Sequence, residues 1–146
     1  MTPAELITRK LLDAIEAAGA SVPVYSLLLE AMSGERHETP SSGIAINVHI
    51  MRQLAEPLPL YMFGVSVILT CSIDDDKGGV LFKRNYNAIW AVFDRLARGD
   101  NCAEICGDGF AADGFQLSEG DPPDFQEDEN GGSWTVTFAA TITGRA

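Results

Sequence analysis

At 146 residues and 15.7 kDa the chain fits one domain, long enough to bury about 68–70% of the surface its unfolded form would expose. A hydrophobic fraction of 46% against 21% charged residues excludes wholesale disorder. Only 10 Lys and Arg stand against 21 Asp and Glu, for a net charge of -11. Because nucleic-acid binding rests on cations that displace counterions from phosphates, sequence-specific reading of DNA or RNA is excluded as an expectation.

The first helix is predicted over Pro3 to Ala18. Thr2 and Glu5 form a capping box, and Pro3 fills the first helical position, where its missing N–H costs nothing. Ile7, Leu11, Ile15 and Ala18 make a stripe at helical spacing, Gly19 ends the helix, and Arg9 and Lys10 face solvent or a partner. Nothing in Met1 to Lys10 has the apolar core of a secretory signal. Val22 to Met32 is open to two readings: Val22, Val24 and Tyr25 look extended, whereas Leu27 to Ala31 suit a helical turn. Ser33 to Gly43 reads as a mobile surface loop by composition.

Two strands follow. Ile44, Ile46, Val48 and Ile50 alternate with Ala45, Asn47 and His49. After Pro57 and Pro59, the residues Tyr61, Phe63, Val65, Val67, Leu69, Cys71 and Ile73 alternate with small or polar ones. The pair is expected to be antiparallel. The apolar run Leu58 to Leu69 is broken by Pro59, Gly64 and Ser66 and is too short to span a bilayer, so no membrane partner is expected. Asp74, Asp75 and Asp76 close the second strand, and either of the last two suits a cap for the helix predicted over Val80 to Arg98. Its stripe is Ala88, Ile89, Val92, Phe93 and Leu96, and Gly99 stops it.

The end of the chain has the cleanest pattern. Trp134, Val136, Phe138, Ala140 and Ile142 alternate with Thr135, Thr137, Ala139, Thr141 and Thr143, which defines a strand with one buried face. Its expected partner is Phe110 to Leu117. The run 118–133 between them carries Glu119, Asp121, Asp124, Glu127, Asp128 and Glu129 and no basic residue, so the hairpin has a long acidic tip. Loops of this length without structure are functional or disordered. The order is thus helix, strand, strand, helix, strand, strand: an α+β fold with a sheet of about four strands and two helices, in a single domain over 1–146.

No catalytic constellation emerges. His37, His49, Cys102 and Cys106 supply the ligand types for tetrahedral zinc, but the Cys-x-x-x-Cys spacing is loose and the histidines fall on different elements. Consecutive Asp74 to Asp76 diverge, and Asp128, Asn130 and Gly131 match only a fragment of a calcium loop. No Gly-x-Ser-x-Gly is present, and Asp76-Lys77-Gly78-Gly79 is ringed by acid and reads as a turn. No cofactor, no metal and no enzymatic activity are expected. Cys71, Cys102 and Cys106 are an odd number without a secretory signal, so reduced thiols are expected, with Cys71 packed as a small hydrophobe.

The pattern of Glu5 to Ala18, Tyr61 to Ile73, Ala88 to Leu96 and Ser133 to Thr143 resembles the tail-terminator family of long-tailed bacteriophages, with tail-completion and neck proteins in the wider group. The resemblance covers nearly the whole chain and rests on the order of elements. It implies helices packed on one face of a mostly antiparallel sheet, and assembly into a homo-oligomeric ring, commonly a hexamer, at the head-proximal end of the tail tube. The implied partners are further copies of the chain, the tail-tube protein and a head-connector or neck protein. The implied location is the virion tail, with host cytoplasm during assembly. The interaction residues expected are the six acids of the loop together with Arg9 and Lys10. The alternatives are a neck or head-closure protein, or a small ligand-binding domain or enzyme with a pocket around Trp90, Tyr61 and His49.

Overall fold

The computed structural model describes residues 1–54, 60–107, 109–118, 124–127 and 131–145. Helix α1 (Pro3–Ala17) is followed by β1 (Val24–Tyr25), α2 (Leu27–Ser33), β2 (Gly43–Leu54), β3 (Leu60–Ser72) and α3 (Val80–Leu96). A 3-10 turn at Asn101–Glu104 then leads to β4 (Cys106–Gly107), β5 (Phe110–Leu117), β6 (Asp124–Glu127) and β7 (Ser133–Arg145).

The helices begin where local chemistry starts them. The Glu5 N–H donates to Thr2 Oγ1 at 3.2 Å, satisfying one of the orphan donors of the first turn of α1. Ahead of α3 the N-cap residue is Gly79, and Asp76 accepts from the N–H groups of Leu81 and Phe82 at 2.9 and 3.2 Å, so the last aspartate of the triplet satisfies first-turn amides from outside the helix. Asp75 has a different task. Its carboxylate accepts from Ser41 and Ser42 at 2.9 and 2.7 Å, while Ser42 Oγ accepts from the Ser72 N–H, so the end of the predicted mobile loop is pinned to the β3–α3 turn.

The strands form one sheet in the order β1-β2-β3-β7-β5-β4, with β6 paired to β7 beside β5. All pairings are antiparallel except β1 with β2. Among the described residues seven strands therefore replace the four expected, and three α-helices replace two. The physical reason is length. β1, β4 and β6 have 2, 2 and 4 residues, too short for an alternation to declare itself in sequence. Both readings of Val22 to Met32 hold together, since β1 and α2 share that segment and Ser26 caps the helix by accepting from Leu29 N–H at 3.4 Å.

The core lies between the sheet and helices α1 and α3. Ile7, Leu11 and Ile15 of α1 and Ile89, Val92 and Phe93 of α3 are buried against Val65, Val67 and Leu69 of β3 and Val136, Phe138 and Ile142 of β7. The Phe93 ring meets Phe115 and Phe138 edge-on at centroid distances of 5.4 and 5.7 Å, the favoured geometry for aromatic pairs. Among the described residues two polar side chains, Thr8 and Asn85, are fully buried. Asn85 accepts from the Ser21 N–H at 2.8 Å and donates to Ser21 Oγ and the Leu81 carbonyl, tying the turn after α1 to α3. At the end of β7, Gly144 is required because a Cβ there would run into the Phe110 ring and the Ala111 carbonyl.

The terminal strand differs from expectation in a way that bears on function. β7 is central, paired along its length with β3 on one side and flanked by β5 and then β6 on the other. The acidic stretch is no bare tip, because Asp124 to Glu127 form β6 against Trp134 to Thr137. Between the Ser118 N–H bond to the Ala139 carbonyl and the pair Asp124–Thr137, the flanking chain advances by six residues while β7 advances by two. A single long strand position is thus split by an insertion, and side-chain composition hid the second half.

Candidate functional site

The expected interaction residues fall into two groups on different elements. Asp124 and Glu127 are the first and last residues of β6, and Glu127 is exposed. Glu119, Asp121, Asp128 and Glu129 lie outside the described residues. Arg9 and Lys10 are exposed on α1, whose principal neighbours are β2 and α3. The Arg9 guanidinium lies 3.5 Å from the Glu5 carboxylate. Beside it, an open groove of about 280 Å³ runs between α1 and the β1–α2 segment, lined by Arg9, Tyr25, Glu30 and His37 among others.

The sheet has two unlike faces. Inward residues of β3 and β7 are buried under the helices. Outward ones are Met62, Gly64, Ser66, Ile68, Thr70 and Ser72 on β3, with Thr135, Thr137, Ala139, Thr141 and Thr143 on β7. None of these carries a charge in a chain of 31 charged residues; charge enters this face at its far end, where the Thr143 hydroxyl donates to Asp113 of β5 at 2.9 Å and Arg145 of β7 stands 3.9 Å from the same carboxylate.

The edges are unequal. β1 covers β2 only at Ile44 and Ala45, and beyond it every residue from His49 to Gln53 is exposed. Ile50 and Met51 are 52% and 57% exposed, large apolar side chains at a strand margin that no described strand pairs. Sequence reasoning missed this site. The Ile50 position continues the inward row of Ile44, Ile46 and Val48, and alternation alone reads it as core. Only the tertiary arrangement shows that the helices stop short of it.

The pocket expected around Trp90, Tyr61 and His49 is not assembled. Trp90 stands on α3 with its ring 6.5 Å from Phe138, and Tyr61 stacks on Phe63 at 5.9 Å beneath the sheet. The His49 ring lies over Gly64 on the opposite face. Among the described residues, no group of three or more His, Cys, Asp or Glu side chains converges as a metal set. All three cysteines are free. Cys71 and Cys102 are buried and Cys106 is exposed. Burial, reinforced by the negative charges of Asp76 and Asp75, pushes the Cys71 thiol up to about 11, which suits a packing residue and not a nucleophile. No helix among the described residues is long and apolar enough to cross a membrane.

The sequence matches no protein-family model and none of the curated proteins. Solved structures do share the arrangement. A chain from the virion of a native gene transfer agent particle superposes with a TM-score of 0.56 at 11% identity, over 96% of this chain and 98% of that one. The likeness is one of fold. A second structure, whose name describes no function, gives a TM-score of 0.56 at 14% identity over 97% of this chain and 92% of that one. Both likenesses run nearly end to end.

Proposed function

We propose that this chain is a structural protein of a phage, prophage or phage-derived particle. In this reading it forms a homo-oligomeric ring, commonly a hexamer, at the head-proximal end of the tail tube, where it ends tube polymerisation and joins tail to head. The observation that carries the reading is the whole-chain fold likeness to a component of a gene transfer agent virion. The molecule's physical character supports it. A ring requires two different patches on each subunit, one for each neighbour, and the sheet offers unlike edges at β2 and β6. A net charge of -11 suits a conduit for DNA, because a negative lumen does not grip passing phosphates. The role is architectural and not catalytic, and a neck or head-closure protein is the variant of it with the same architecture and different interfaces.

Size-exclusion chromatography with light scattering, alone and with tail-tube protein, tests the proposal. The expected result is a defined oligomer or a stoichiometric complex with the tube end. A strict monomer over a wide concentration range that also ignores the tube would sink it.

A further inference from the structure

The free margin of β2 has a direction. The Ile44 N–H donates to the Pro23 carbonyl at 2.9 Å, away from β3, so by strand alternation Ile46, Val48 and Ile50 also aim their amides and carbonyls outward. Among the described residues no strand pairs with them past Ala45. An edge of this length with exposed Ile50 and Met51 is a template for strand addition. It is also basic in character: His49 and Arg52 lie on it, and no acid occurs from Gly43 to Leu54.

The second edge is the complement of the first. β6 is bonded to β7 on one side and has no described strand on the other. It carries Asp124 and Glu127, flanked in sequence by Glu119, Asp121, Asp128 and Glu129. The two edges occupy diagonal corners of the sheet. β6 lies beside Trp134 to Thr137, which face Ile68 to Cys71 of β3 and so the start of β2, whereas the basic margin lies beside Tyr61 to Gly64.

We infer that the His49–Gln53 margin of β2 in one copy receives the acidic β6 edge of a second copy, continuing the sheet from subunit to subunit. Because the two patches differ, the contact is head-to-tail and repeats until it closes. Opposite charge sets the register and the partner, and Ile50 and Met51 are buried by the docking. The inference specifies the interface of the assembly proposed above and rests on that reading.

Light scattering on the full chain across concentration and salt tests it. Wild type is expected to form a species larger than a dimer that salt weakens. Ile50→Pro removes an amide that points away from β3, so it should give a monomer with unchanged circular dichroism. Arg52→Glu should weaken association at least about tenfold, and adding Asp124→Arg and Glu127→Arg to that variant should restore it. Retention of the wild-type mass by both Ile50→Pro and Arg52→Glu overturns this contact while leaving the structural-protein reading standing. A dimer indifferent to the charge changes overturns it in favour of β2 pairing with its own copy. A wild type that stays monomeric alone overturns it too, and if it also ignores tail-tube protein both readings fall.

Discussion

Asn85 is a buried polar side chain whose amide is used in both directions. It is fully buried, and its amide makes bonds to Ser21 and to the Leu81 carbonyl that hold the α1 exit against α3. Asn85→Ala leaves the Ser21 N–H without its partner inside the protein, at a cost of about 2 kcal/mol. Thermal unfolding should shift down by roughly 4–8 °C, and an unchanged midpoint would contradict the network. The thiols separate by environment. In the native state a thiol reagent at neutral pH should modify Cys106 alone, with Cys71 and Cys102 reacting only on unfolding. Asp75 adds a pH signature: the hydroxyls of Ser42 and then Ser41 hold its carboxyl below the ordinary value of 3.8. A depressed carboxylate stabilises above its unfolded pKa, and that contribution is lost as pH falls through the folded value. Denaturant melts of Asp75→Asn should therefore show a shallower loss of stability on the acid side than wild type, and little difference in slope near neutrality.

At the scale of elements, capping and periodicity act where they can be read. Thr2, Pro3 and Gly19 bracket α1, and Asp76 satisfies first-turn amides of α3, because these termini are local and need no distant partner. β6 obeys a different rule. Asp, Phe, Gln and Glu in a polar run have no strand signature, and it is the already patterned β7 that supplies a ladder for them. The acidic stretch should therefore contribute to assembly through both backbone and charge. Changing Glu119, Asp121, Asp124, Glu127, Asp128 and Glu129 to their amides keeps the shape and removes the charge. The expected result is an unchanged fold by circular dichroism with association weakened and no longer salt-sensitive; undiminished association would show that charge has no part in it.

Across the whole molecule, the sheet is covered by helices on one face, carries mainly small and polar side chains on the other, and has margins at diagonal corners that no described strand pairs. In the proposed assembly that distribution would let a chain of net charge -11 dock on its own copies, since β6 carries Asp124 and Glu127 while no acid occurs from Gly43 to Leu54. The sequence by itself determined the long elements: α1, β2, β3, α3, β5 and β7 follow from 3.6- and 2-residue periodicities and from caps that act within a few residues. It also placed the six acids together, because their clustering is sequential. Only the tertiary structure decided the short strands β1, β4 and β6, the central position of β7, and the exposure of Ile50. Those depend on where the flanking ladders and helices end, and a side-chain pattern read along one strand carries no information about how far its neighbours extend.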